Sequence, residues 1–77
     1  MAHLELGSEV VSITLNGDSR RIPTGSTVAS LLESLALDAR LVVVERNREI
    51  LRNRDAFADI EIQTADTIEI VHFVGGG

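Results

Sequence analysis

The chain has 77 residues, 44% of them hydrophobic and 25% charged, a length that supports one small domain with one thin core. Seven basic against twelve acidic side chains leave a net charge of −5, with no basic cluster of the kind that tracks nucleic-acid phosphates. Cysteine is absent, which excludes disulfides, thiol nucleophiles and cysteine-held metals, and His3 and His72 are too far apart in sequence to suggest a metal site.

The first ten residues carry neither a basic region nor an apolar core of the secretory kind. The longest apolar run, residues 41–44, is far too short to cross a bilayer. A cytoplasmic chain without a membrane partner is therefore expected. Residues 1–9 are set apart as an N-terminal extension, residues 10–73 as the domain, and residues 74–77 as a flexible glycine tail.

Val11, Ile13 and Leu15 alternate with Ser12 and Thr14, the period of a strand with one buried side. Asn16-Gly17 follows, a pair that tolerates the positive φ both positions of a tight hairpin need. Residues 19–22 return as the second strand and stop at Pro23, which has no N–H for a ladder. Thr27 is placed to cap a helix whose Val28, Leu31, Leu32 and Leu35 form one apolar stripe ending near residues 35–37. With Ser30 at the third helical position, the residues predict a plain cap, not a reciprocal box.

Leu41-Val42-Val43-Val44 reads as an interior strand, apolar on both sides. Asn47-Arg48 turns the chain into a short segment at residues 49–51, and residues 53–59 read as a loop with Phe57 tucked inward. Residues 60–63 are expected to add a brief extended piece, Ala65-Asp66 a turn, and residues 67–73 the last strand. On that strand Ile68, Ile70 and His72 share one face; Thr67, Glu69, Val71 and Phe73 share the other. One helix crossing a mixed sheet of four or five strands buries these faces most simply, an α+β chain of β-grasp arrangement with the last strand in the middle.

The C-terminus is unusual. Val74 is followed by Gly75, Gly76 and Gly77, residues that disfavour order and pass through channels too narrow for other side chains. Four extended residues reach about 13 Å at about 3.3 Å each. Such a tail would deliver the Gly77 carboxylate, an anion at neutral pH, to the α-phosphate of ATP. Adenylation makes the carboxyl carbon an electrophile from which a sulfur nucleophile can displace AMP. In a chain without thiols, a thiocarboxylate at Gly77 is the plausible place to hold sulfur covalently.

Val71, Phe73 and Val74 on the last strand and its exit are candidates for a partner-docking patch, or for packing on the sheet's own second face. Arg46, Arg48, Arg52 and Arg54 read as a solvated turn that could meet an acidic partner. Asp59, Glu61, Asp66 and Glu69 read as solvated residues that could meet a basic one.

Ile13-Thr14-Leu15-Asn16-Gly17, the helix starting Thr27-Val28-Ala29-Ser30-Leu31-Leu32, and the ending Ile70-Val71-His72-Phe73-Val74-Gly75-Gly76-Gly77 together resemble the ThiS family, the ubiquitin-like sulfur carriers of thiamin biosynthesis. The resemblance covers residues 10–77. It implies a cosubstrate that is not itself an enzyme, a free monomer that binds no cofactor. An E1-like (ThiF-like) adenylyltransferase would consume ATP to activate Gly77, and a cysteine desulfurase or persulfide relay would supply sulfur. The thiocarboxylate would then donate it to a ThiG-like thiazole synthase. The small subunit of molybdopterin synthase is the related alternative, although His72-Phe73-Val74 stands where that family usually carries a proline-containing segment. A non-covalent β-grasp interaction module with incidental glycines is the alternative of another class.

Overall fold

Asn16 and Gly17, with φ of 49° and 88°, close a two-residue hairpin between β1 (Val10–Leu15) and β2 (Asp18–Pro23). The structure, a computed structural model, describes residues 9–73. The two strands pair antiparallel from Leu15 opposite Asp18 to Val10 opposite Pro23, which lies on the outer strand of the sheet where a missing N–H costs no ladder bond.

Helix α1 (Val28–Ser34) starts at Thr27 in extended conformation. Here the residues do more than expected. The Thr27 hydroxyl accepts from the Ser30 N–H at 3.0 Å, and the Ser30 hydroxyl accepts from the Thr27 N–H at 2.8 Å. The cap is therefore a reciprocal box, with a serine hydroxyl in the place usually taken by glutamate or glutamine. The helix ends in a Schellman arrangement: the Ala36 N–H donates to Glu33 and the Leu37 N–H to Leu32. Ala36 adopts φ 59° there, a position usually filled by glycine.

A 3₁₀ turn (Ala39–Leu41) leads into β3 (Val42–Arg46), which folds back on β4 (Glu49–Ile50) through Asn47-Arg48, again with positive φ at both residues. Residues 53–59, expected as a loop, contain a 3₁₀ helix (Arg54–Asp59) that presses Phe57 into the core. Extended structure around residue 61 is reduced to one bridge between Glu61 and Thr27. β5 (Thr67–His72) then enters the middle of a five-stranded sheet of order β2-β1-β5-β3-β4, parallel to β1 and antiparallel to β3.

The core lies between α1 and one face of this sheet, built from Ile13, Leu15, Ile22, Val28, Leu31, Leu32, Val42, Val44, Phe57, Ile62 and Ile68. The expectation for residues 41–44 is corrected. Val42 and Val44 are fully buried, but Val43 is only partly buried and Leu41 is 46% exposed in the preceding turn. Helix α1 covers one face, as is common for sheets with antiparallel neighbours. Among the described residues, no helix is long and apolar enough to cross a membrane.

Candidate functional site

β5 carries the chain out of the sheet toward its glycines, and two neighbours set its course. On one side its odd-numbered residues face β3: the Asn47 N–H donates to the Thr67 carbonyl at 2.8 Å and the Phe73 N–H to the Leu41 carbonyl at 2.8 Å. On the other side β1 ends early, with Leu15 opposite Ile68 as the last register pair. The hairpin turn continues its work. The Asn16 N–H donates to the Ile68 carbonyl at 2.9 Å, and the Asn16 Oδ1 accepts the Ile70 N–H at 2.7 Å.

The sheet face away from α1 carries a contiguous apolar patch. Val71 and Val43 are direct cross-strand partners; Phe73 lies opposite Leu41 two residues further along the ladder. Val71 is 61% exposed and Phe73 50%, and Ile50 on β4 is exposed nearby. Among the described residues, then, no second layer packs over Val71 and Phe73.

Below the patch, Glu45 and Glu69 stand directly opposite each other on β3 and β5. Like charges so placed are destabilising by up to about 1 kcal/mol, which makes this pair a poor choice for the fold alone. They line a shallow depression of about 380 Å³ with Asn47, Arg48 and Thr67. The open face is thus apolar toward the exit of the chain and mainly acidic toward the other end.

Asp66 is a different matter. It is buried, and its carboxylate accepts from Arg46 Nε at 2.9 Å, Asn47 Nδ2 at 3.0 Å and the Gln63 N–H at 2.8 Å. Burial disfavours the charge, but the Asn47 amide, the Gln63 N–H and Arg46 together outweigh it and hold the carboxyl below its ordinary pKa. Asp66 is thereby removed from the candidate acidic docking residues; Asp59, Glu61 and Glu69 remain exposed. The arginine cluster divides as well. Arg46 pairs with Asp66, and Arg54 donates to the carbonyls of Ala39 at 2.8 Å and Val42 at 3.0 Å, fastening the 3₁₀ helix to the start of β3.

Of the residues singled out from sequence, Val71 and Phe73 are brought together on the open face, and His72 is exposed on β5. Val74, Gly75, Gly76 and Gly77 lie outside the described residues, as do residues 1–8. Sequence reasoning missed Leu41, Val43 and Ile50 as members of the patch, because an apolar run reads as buried on both sides until the layer count is known. Among the described residues, no group of three histidine, aspartate or glutamate side chains is arranged to hold a metal.

Residues 13–77 match the sequence model of the ThiS family. The sulfur carrier protein ThiS of Bacillus subtilis is 42% identical over 66 residues, covering 84% of this chain and 98% of that protein. Thiazole synthases of Paramagnetospirillum magneticum and Magnetococcus marinus are 39% and 37% identical over 67 residues. Those matches cover 87% of this chain, which spans only 20% of the length of either enzyme. A crystal structure of the thiamine biosynthesis protein ThiS from Geobacter metallireducens superposes with a TM-score of 0.73 at 33% identity, covering 87% of this chain and all of that one.

Proposed function

The chain belongs to the ThiS family, and from that membership we propose that it is a sulfur carrier for thiamin biosynthesis, acted on through the carboxylate of Gly77. The observation that carries the reading is the 42% identity to a sulfur carrier protein along 98% of that protein's length. The β-grasp sheet supports it by directing β5, its central strand, toward the residues that precede the three glycines.

In the proposed cycle an E1-like adenylyltransferase binds ATP, and a Gly77 carboxylate oxygen attacks the α-phosphorus, with pyrophosphate leaving. A persulfide sulfur then attacks the carboxyl carbon, the C–O bond to AMP breaks, and an acyl disulfide remains. A second thiol of the relay cleaves that disulfide, supplying the two electrons that leave a thiocarboxylate on Gly77. The thiocarboxylate gives its sulfur to a thiazole synthase, the enzyme named for two of the relatives. The chain itself contributes no cysteine, so every thiol in the cycle belongs to a partner.

Leu41, Val43, Val71 and Phe73 give the partners an apolar surface to grip, and Glu45 and Glu69 match a basic rim on the other side. Desolvating Phe73 at such a contact contributes roughly 1.5–3 kcal/mol. The test is a pair of variants, one lacking Gly77 and one carrying an added residue after it, each offered to the adenylyltransferase with ATP. Both are expected to fold normally and fail to be adenylated. Activation of either at the wild-type rate would remove Gly77 from the mechanism.

A further inference from the structure

We propose that the enzyme that activates Gly77 holds this chain by adding an extended strand of its own to the free edge of β5 at residues 70–72. The inference rests on the reading of Gly77 as the reactive end and adds how the partner sets its position.

The edge is a consequence of register. β5 has two neighbours at Thr67 and Ile68, but β1 stops there and β5 runs on to His72 with β3 on one side alone. Ladder bonds alternate along a strand, and the odd-numbered residues of β5 are those turned to β3. The even-numbered residues therefore aim their N–H and C=O groups at the side β1 has left. Asn16 supplies one further rung by accepting the Ile70 N–H. Beyond it, the Ile70 carbonyl and both backbone groups of His72 have no ladder partner among the described residues.

The other edges of the sheet are guarded. β2 is the outer strand on one side and carries Asp18, Arg20, Arg21 and Pro23; β4, on the other, is two residues long. Charge, proline and shortness are the usual means of blocking strand addition. The step in the sheet beside residues 70–72 is short too, but Ile70, Val71 and His72 include neither proline nor an acidic or arginine side chain, and Asn16 already holds its first rung.

The sequence beyond the described residues argues for the occupant. Five positions separate His72 from Gly77, about 17 Å at about 3.3 Å per residue. The last three of these are glycines, which offer a partner main-chain groups and no side chain to recognise. An enzyme that selects them must read backbone, and strand addition is the general way to do so. A ladder begun on residues 70–72 also fixes depth, since slipping by one residue would displace the carboxylate by about 3.3 Å. A second copy is the weaker occupant. Two chains of net charge −5 repel, and a pairing a few residues long has little with which to overcome that.

Amide hydrogen exchange of the wild-type chain, alone and bound to the activating enzyme, reads the edge directly. The His72 N–H is expected to exchange freely in the chain alone and at least tenfold more slowly in the complex. An unprotected His72 amide in the complex overturns the proposal. So does protection that grows with concentration of the chain alone, which would assign the edge to a second copy. His72→Pro removes this N–H without touching the β3 ladder, and is expected to slow adenylation roughly two- to tenfold, the scale of one lost hydrogen bond. Adenylation of a folded His72→Pro chain at the wild-type rate also overturns it. A wild-type chain that binds the enzyme but is never adenylated counts against the Gly77 reading instead, and the exchange data still decide the strand.

Discussion

Asn16 and Ile70, 54 positions apart, are joined by a hydrogen bond of 2.7 Å from the Ile70 N–H to the Asn16 Oδ1. One residue thus closes the first hairpin with a φ of 49° and anchors the last strand where β1 has run out. Its two roles are separable by substitution. Asn16→Gly keeps the backbone conformation and loses the acceptor, at about 0.5–1.5 kcal/mol of stability. Asn16→Ala adds the cost of a left-handed alanine, about 1–2 kcal/mol more. Asn16→Asp keeps both and is expected to be the mildest of the three. Urea midpoints of the three variants give the order; equal losses for Gly and Ala would contradict it.

Asp66 ties Gln63, at the turn leading into β5, to Arg46 and Asn47 at the end of β3. Asp66→Ala strands three donors, and a loss of about 2–4 kcal/mol is expected, somewhat below a fully buried pair because Arg46 is partly solvated. The same carboxyl gives a pH dependence. Its pKa is lowered in the folded state, so the stabilisation is complete above the unfolded value near 3.8 and is lost as pH falls through the lower folded one. Stability measured below pH 4 should therefore fall less steeply in Asp66→Asn than in the wild-type chain. Parallel curves would show that Asp66 does not titrate as described.

Thr27 and Ser30 form their two cap bonds with each other. Thr27→Ala is expected to cost about 1 kcal/mol, as for other N-cap threonines. The double variant with Ser30→Ala should cost less than the sum of the single ones, since either change removes part of the same box. A thermal or urea double-mutant cycle measures that coupling. Strict additivity would mean the two bonds act independently.

Val71 and Phe73 touch solvent over at least half their surface, so Val71→Ser and Phe73→Ser are expected to change stability by no more than about 0.5 kcal/mol. If the patch docks partners, adenylation by the E1-like enzyme should fall roughly tenfold or more, chiefly through KM, at the scale of a buried aromatic contact. Steady-state kinetics with the variant chain as substrate separates the two effects. An unchanged KM for Phe73→Ser would place the docking surface elsewhere.

Local signals carried much of this fold. Asn16-Gly17, the alternation from Val11 to Leu15 and the Val28–Leu31–Leu32–Leu35 stripe each specify an element within a few residues, and each element stands where they place it. The features that escaped depend on partners remote in sequence. Asp66 looks like a turn residue until Arg46 and Asn47, 20 and 19 positions away, are seen to converge on it. Arg54 looks solvated until the carbonyls of Ala39 and Val42 come within reach. Ser30 fails the usual box pattern because its side chain is short, yet it reaches the Thr27 N–H. The site itself is legible in two unequal parts. Val71 and Phe73 follow from strand parity, whereas their companions Leu41, Val43 and Ile50 require knowing that one face of the sheet is left open.

Intact mass of the chain after incubation with ATP, the E1-like adenylyltransferase and a persulfide donor reads the thiocarboxylate itself. Replacement of one oxygen by sulfur, located by fragmentation at Gly77 and dependent on ATP, is expected. A chain whose mass is unchanged while the same enzymes thiolate an authentic sulfur carrier would contradict it.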